Sequence, residues 1–197
     1  MFKKPLVISE TLIKKISQGD RNAFRAFYDS TYPAIYHFIH YFLSDKNDCE
    51  EVVSEVFYII WKKRETLSSI NDLKPWLYIV CRNESYHYIK QRDGYRNISI
   101  DDVSVELSMD PSSIDGEIIE KEMLDIYNAA VAELPERCKL VFLMVREQQL
   151  KYKEIANILS ITEGTVEQQM NIAIRKVVSV VKQYYPFIKA NRKQNKS

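Results

Sequence analysis

The chain has 197 residues, 46% of them hydrophobic and 28% charged, with a formal net charge of +1. That suits a folded, water-soluble protein of one domain or two small ones, and 4 Gly and 6 Pro are too few for a turn-rich β architecture. No apolar run is long enough to span a bilayer, and the N-terminus MFKKPLVISETLIKK lacks the apolar segment and cleavage site of a secretory signal. The 3 cysteines, Cys49, Cys81 and Cys138, are far apart, without CxxC spacing. An all-α, reduced, cytoplasmic protein with no disulfide or zinc framework is expected.

A first block runs over residues 8–94. Ser9 caps a first helix with Leu12, Ile13 and Ile16, which Gly19 ends; Asp20 caps a second through Phe24, Phe27, Tyr28 and Ile35. Pro33 either kinks or divides that helix. Asn47 and Glu50 have capping-box spacing for a third helix, DCEEVVSEVFYIIWKK. Its stripe Cys49, Val52, Val53, Val56, Phe57 and Ile60 is core, while Asp48, Glu51 and Glu55 lie away from it and Trp61 stands near the far end. Such an acidic face either docks a basic partner or is simply solvated. A fourth helix starts near Asp72 with Pro75 in its first turn. It interleaves aromatic and basic residues: Trp76, Tyr78, Arg82, Asn83, Tyr86, His87, Tyr88, Lys90 and Arg92. Stacking platforms beside cations suit single-stranded nucleic acid, and they equally suit an aromatic core helix with a basic end.

Between Asn97 and Ile119 there is no basic residue, but Asp101, Asp102, Glu106, Asp110, Asp115 and Glu117 appear among Ser and Pro, the pattern of a flexible acidic linker over residues 95–116. A second block follows over residues 117–183. IIEKEMLDIYNAAVAEL is one amphipathic helix, ended by Pro135, which opens PERCKLVFLMVREQQ. KYKEIANILS, a break at Ser160 and Ile161, and a helix from Thr162 to about Gln183 form a helix-turn-helix pattern. Ile155, Ala156, Ile158 and Leu159 face Val166, Met170, Ala173, Ile174 and Val177. Glu163, Thr165, Glu167, Gln168, Asn171 and Arg175 point outward; Gln and Asn amides bond adenine and Arg bonds guanine. The same pattern also serves an αα-hairpin with a solvated face. The basic tail, residues 184–197, is expected to fray.

Enzymatic readings find no support: there is no P-loop, GxGxxG, HExxH or nucleophile site, so no catalytic residue, metal or cofactor is expected. His37 and His40 could share a helix face, but a third ligand is missing, and they read as interfacial or surface side chains.

In this order the segments resemble the extracytoplasmic-function (ECF) group of the sigma-70 family. DCEEVVSEVFYIIW (Asp48 to Trp61) is similar to the region-two helix that docks on the β′ clamp of RNA polymerase, with Ser54 where Gln is usual. PWLYIVCRN (Pro75 to Asn83) is similar to the segment that opens and holds the promoter minus-ten element. LPERCKLVFLM (Leu134 to Met144) and YKEIANILSITEGTV (Tyr152 to Val166) are similar to region four, which reads the minus-thirty-five element as duplex. The resemblance covers nearly the whole chain. It implies an all-α fold of two small helical domains, a region-two four-helix domain and a region-four helix-turn-helix domain joined by the acidic linker.

It also implies a non-enzymatic initiation factor that recruits core polymerase through its β′ clamp and β flap. Polymerase contacts would come from Asp48, Glu51, Glu55 and Trp61. Contacts to single-stranded minus-ten DNA would come from Arg82, Asn83, Tyr86, Lys90 and Arg92. Contacts to minus-thirty-five duplex would come from Thr165, Glu167, Gln168, Asn171, Arg175 and Lys176. An anti-sigma factor is an expected partner and direct membrane insertion is not. Two departures stand out. GTVEQQMNIAIRK is poorer in basic residues than recognition helices of the group, and Ser160 replaces the Gly common at the turn. The alternatives from the residues alone are a stand-alone helix-turn-helix regulator with a helical sensor or dimerisation domain, and a helical adaptor without a DNA role.

Overall fold

The computed structural model describes residues 6, 8–94, 105 and 118–194, with the side chains of 118–123 and 185–194 outside the description. The acidic residues expected of the linker, Asp101, Asp102, Glu106, Asp110, Asp115 and Glu117, lie outside the described residues. Eight α-helices follow in chain order: α1 (Glu10–Ser17), α2 (Arg21–His40), α3 (Lys46–Lys62), α4 (Leu73–Asp93), α5 (Ile118–Ala132), α6 (Glu136–Arg146), α7 (Tyr152–Leu159) and α8 (Glu163–Gln194). A 3-10 turn, Arg64–Ser69, separates α3 from α4. The fold is all-α in two helical clusters, α1–α4 and α5–α8, which meet where α4 packs on α7.

In the first cluster α2 and α3 start where a side chain relieves unbonded backbone donors, whereas Ser9, expected to cap α1, makes no such bond. Asp20 Oδ1 accepts from the N–H groups of Asn22 and Ala23 at 2.8 and 3.0 Å, a cap worth about 1 kcal/mol. Asp45 does the same for α3 through Asn47 and Asp48 at 2.7 and 3.1 Å. The capping box expected at Asn47 and Glu50 is therefore not used. The Asp45 carboxylate, two residues earlier, takes the Asn47 N–H that Glu50 would have bonded, and Glu50 accepts instead from the Tyr32 hydroxyl at 2.8 Å. Pro33 sits inside α2 without dividing it. Behind it, the hydroxyls of Ser30 and Thr31 both donate to the Phe27 carbonyl, at 3.0 and 2.7 Å.

Ile13, Ile16, Phe27, Ile35, Phe38, Val52, Val56, Ile60, Leu77 and Tyr78 fill the first core; Leu140, Val141, Leu143, Met144, Ile155, Ile158, Val166 and Ala173 fill the second. Cys49, Cys81 and Cys138 are buried free thiols, and burial pushes the Cys81 thiol up. Two expectations need correcting. Ile174 is 42% exposed, because Val166, Met170, Ala173 and Val177 already occupy the inward stripe. The last helix does not stop near Gln183 but continues to Gln194. Its final turns are rich in Lys, Arg and Gln, good helix formers whose cations suit a helix C-terminus.

Candidate nucleic-acid interface

The outer face of α3 is acidic and aromatic. Glu51, Ser54 and Glu55 are exposed, and Tyr58 is 56% exposed. Beside them, Tyr28 of α2 is partly exposed with its ring 4.4 Å from Phe57. It begins a row of rings, Tyr28, Tyr32, Tyr36 and His40, with successive centroids 5.4, 5.9 and 6.3 Å apart. The sequence reading missed this row, although its spacing of four was visible. Two of the side chains expected to meet polymerase are committed within the fold. Asp48 accepts from the Tyr88 hydroxyl at 2.7 Å and from Arg92 at 2.8 Å, which ties α3 to α4. That hydrogen bond, followed by desolvation, pushes the Tyr88 phenol up to about 12. Trp61 is half-buried, with Phe24 at 4.9 Å and the Arg64 guanidinium 5.1 Å from its ring.

Along α4 the residues expected to hold single-stranded DNA separate into two sets. Asn83 and Lys90 are exposed. Arg82 and Tyr86 turn toward the second cluster. Arg82 donates from Nε and Nη2 to Asn83 Oδ1 at 3.1 and 2.7 Å, and from Nη1 to the Ile158 carbonyl and to Ser160 Oγ, the latter at 3.1 Å. Burial holds its guanidinium below the usual value. Tyr86 meets Phe42 edge-on at 5.6 Å. Its buried hydroxyl has no hydrogen-bond partner among the described residues. Burial raises this phenol while Arg82 and Arg137 pull it down. Arg92 pairs with Asp93 as well as Asp48, and hydrogen bonding to Asp93 leads the effects that hold it charged.

A buried polar seam joins the two clusters, and no residue pattern announced it. Gln148, between α6 and α7, accepts from the Tyr78 hydroxyl at 2.7 Å and donates to the Tyr41 oxygen at 3.2 Å. Tyr41 donates in turn to Glu147 at 2.9 Å, and His37 pairs with the same carboxylate. Lys74 donates to the Gln148 carbonyl at 3.3 Å. Burial raises both phenols, and the Glu147 charge raises Tyr41 further. His37 is thus an interfacial histidine. Among the described residues no group of three His, Cys, Asp or Glu is placed to hold a metal, and no helix is long and apolar enough to cross a membrane.

The second cluster presents an open helix-turn-helix. Ser160 ends α7 in the left-handed conformation, φ 56° and ψ 44°, as expected of a position where Gly is common. Thr162 caps α8, its Oγ1 accepting from the Thr165 N–H at 3.1 Å. Glu167, Gln168, Asn171 and Arg175 are exposed on one flank of α8, Lys176 is exposed further round the helix, and Thr165 is half-buried. Arg175 Nε donates to the Asn171 carbonyl at 3.2 Å, while Gln169 faces inward and accepts from Cys138 Sγ at 2.9 Å. Amide and guanidinium groups toward the start of a solvated second helix can enter a major groove and meet base edges.

Comparison with known proteins agrees with this geometry. The family model described as Sigma-70 region 2 matches residues 27–95, and that described as Sigma-70, region 4 matches residues 124–177. The ECF RNA polymerase sigma-E factor of Haemophilus influenzae is 24% identical over 170 residues, covering 82% of this chain and 88% of the relative. The ECF RNA polymerase sigma factor SigW of Bacillus subtilis is 21% identical over 166 residues, covering 81% and 89%. Among solved structures, CnrH in complex with the cytosolic domain of CnrY has a TM-score of 0.57 at 16% identity, covering 88% of this chain and 97% of that one. RpoE in complex with the anti-sigma factor NepR from Bartonella quintana has a TM-score of 0.58 at 18% identity, covering 81% and 96%. With both regions matched in order on two separate helical clusters, the chain belongs to the sigma-70 family, in its extracytoplasmic-function group.

Proposed function

We propose that this chain works in the cytoplasm as an alternative sigma factor whose two helical clusters divide the labour of initiation. The observation that carries the reading is the ordered pair of regions, each with an outward face of fitting chemistry: acidic and aromatic on α3, amide and guanidinium on α8. Glu51 and Glu55, helped by Tyr58 and Tyr28, dock on the β′ clamp of core polymerase. Asn83 and Lys90, joined by Arg82 and Tyr86 once these are released, hold the melted minus-ten strand. Gln168 and Asn171 read minus-thirty-five bases, Arg175 and Lys176 hold phosphates, and the second cluster rests on the β flap. The acidic linker follows the RNA exit path, its carboxylates imitating a nucleic-acid backbone. Polymerase supplies the catalysis.

The modest charge fits delegation. Specific DNA binding draws much of its affinity from phosphate neutralisation, and a net charge of +1 with Glu163 and Glu167 on the recognition helix gives little of it. That weighs against a stand-alone helix-turn-helix regulator. One of the solved structures named above is of a sigma factor in complex with an anti-sigma factor, which supports an anti-sigma factor as a partner here. The test is reconstitution with core polymerase. The chain should be retained by core enzyme and direct it to a subset of promoters that core enzyme alone ignores. Promoter binding of equal strength without polymerase would support the regulator instead, and absence of both activities would leave the adaptor.

A further inference from the structure

One residue of the segment between the two clusters is described, and it is held. Val105 is 3% exposed and belongs to the buried apolar cluster. Both of its backbone polar groups are bonded by side chains of α6. Glu136 accepts from the Val105 N–H, and Lys139 Nζ donates to the Val105 carbonyl at 3.1 Å. Glu136 and Lys139, one turn apart, are themselves paired at 3.0 Å. Lys139 is 6% exposed. A buried ammonium has three donors to satisfy, and a buried charge is costly unless it is paired and hydrogen-bonded. The Val105 carbonyl therefore fills a need of the site, and the site accepts a main chain with an aliphatic side chain.

We propose that Glu136 and Lys139 form a main-chain clasp that holds the interdomain segment at Val105 in the free protein, and that this clasp opens when the factor spans a promoter on polymerase. The second half rests on the function proposed above. The argument is one of reach. From Gly94, at the end of α4, to Val105 there are eleven residue steps, and to Ile118, where α5 begins, twenty-four. At about 3.3–3.6 Å per residue the clasped tether spans at most about 40 Å and the released one about 80 Å. Elements centred at minus ten and minus thirty-five lie about 85 Å apart along straight duplex at about 3.4 Å per base pair. Domains of this size add roughly 15 Å each. Clasped, the chain falls short of both elements; released, it reaches them with slack.

Amide hydrogen exchange at Val105 tests this in the full chain. In the free protein the Val105 amide should exchange about tenfold or more slowly than an unstructured amide. Glu136→Ala should remove that protection while α6 stays protected, Glu136→Gln, which keeps an acceptor, should retain part of it, and Lys139→Met should weaken it from the carbonyl side. In the complex with core polymerase and promoter, exchange of the peptide containing Val105 should no longer respond to Glu136→Ala, whatever shielding polymerase itself supplies. Three results overturn the proposal: an unprotected Val105 in the free chain, protection there indifferent to Glu136→Ala, or protection in the promoter complex that still falls with Glu136→Ala. If the chain does not bind core polymerase at all, the sigma reading and the opening step fall together, while the Glu136 dependence in the free protein still decides the clasp.

Discussion

The two regions expected to read DNA differ in one respect: the recognition helix of the second cluster is open and the strand-trapping helix of the first is occupied. Gln168, Asn171 and Arg175 on α8 face solvent. On α4, Arg82 is spent on the Ile158 carbonyl and Ser160, at the turn of the helix-turn-helix itself, and the Tyr86 oxygen is buried. The second cluster thus covers part of the surface proposed to hold the melted strand while leaving its own proposed reading face free. If α4 holds that strand as proposed, promoter opening requires prior separation at the seam, whereas reading of duplex needs no such step.

The largest effect should come from the surface outside this comparison, which both regions depend on. Glu55→Lys is expected to abolish retention by core polymerase, since like charge at an interface costs several kcal/mol, while thermal unfolding changes little because an exposed substitution costs within about 0.5 kcal/mol. Retention of the variant at the normal level would remove α3 from the docking face.

Breaking the seam comes next. Gln148→Ala leaves the buried Tyr78 hydroxyl without its acceptor, which costs about 1–3 kcal/mol, to which a cavity adds. Labels on cysteines introduced at Ser68 and Ser179, both exposed, should move apart, the native thiols being buried. An unchanged distance would mean that the seam does not hold the clusters together. Alkali should do the same more gently. Burial raises the Tyr41 and Tyr78 phenols, so the folded state favours their protonated forms. That stability is fully present below the ordinary phenol value of about 10 and is lost as pH rises above it. The labels should therefore separate above about pH 10 and stay together at neutral pH.

The open region yields a smaller and more selective effect. Gln168→Ala should cost about 1–3 kcal/mol at the preferred promoter and relax the choice at one base pair, whereas Arg175→Ala should weaken all sequences alike and reduce the salt dependence. Transcription from a library of promoter variants separates the two, and equal losses across all sequences for Gln168→Ala would show the reading face to be misassigned. The smallest effect belongs to the backbone. Gln149 is exposed at φ 52°, so Gln149→Gly should stabilise the second cluster by roughly 1 kcal/mol, seen as a raised Tm.

The contrast between the regions also explains what the sequence could tell. The inward stripe Val166, Met170, Ala173 and Val177 repeats along one helix, so period alone separates it from Gln168 and Asn171. Local chemistry likewise marked Asp20 as a cap and Ser160 as a turn. The engagement of Arg82 and the burial of the Tyr78–Gln148 pair depend on residues about 70 positions apart, and no local period encodes such a pairing. Ile174 was misread because an apolar residue next to a core stripe looks inward until the stripe is full. Asp48 and Glu55 looked equivalent on the acidic face, yet only the tie to Tyr88 and Arg92 distinguishes them.

The account stands most directly on whether promoter DNA is opened by this chain and polymerase together. Thymines around the minus-ten element should become reactive to permanganate when both core polymerase and this protein are present, and stay unreactive with either alone. Reactivity with core polymerase alone, or none with the two combined on any promoter of a genomic library, would contradict the assignment.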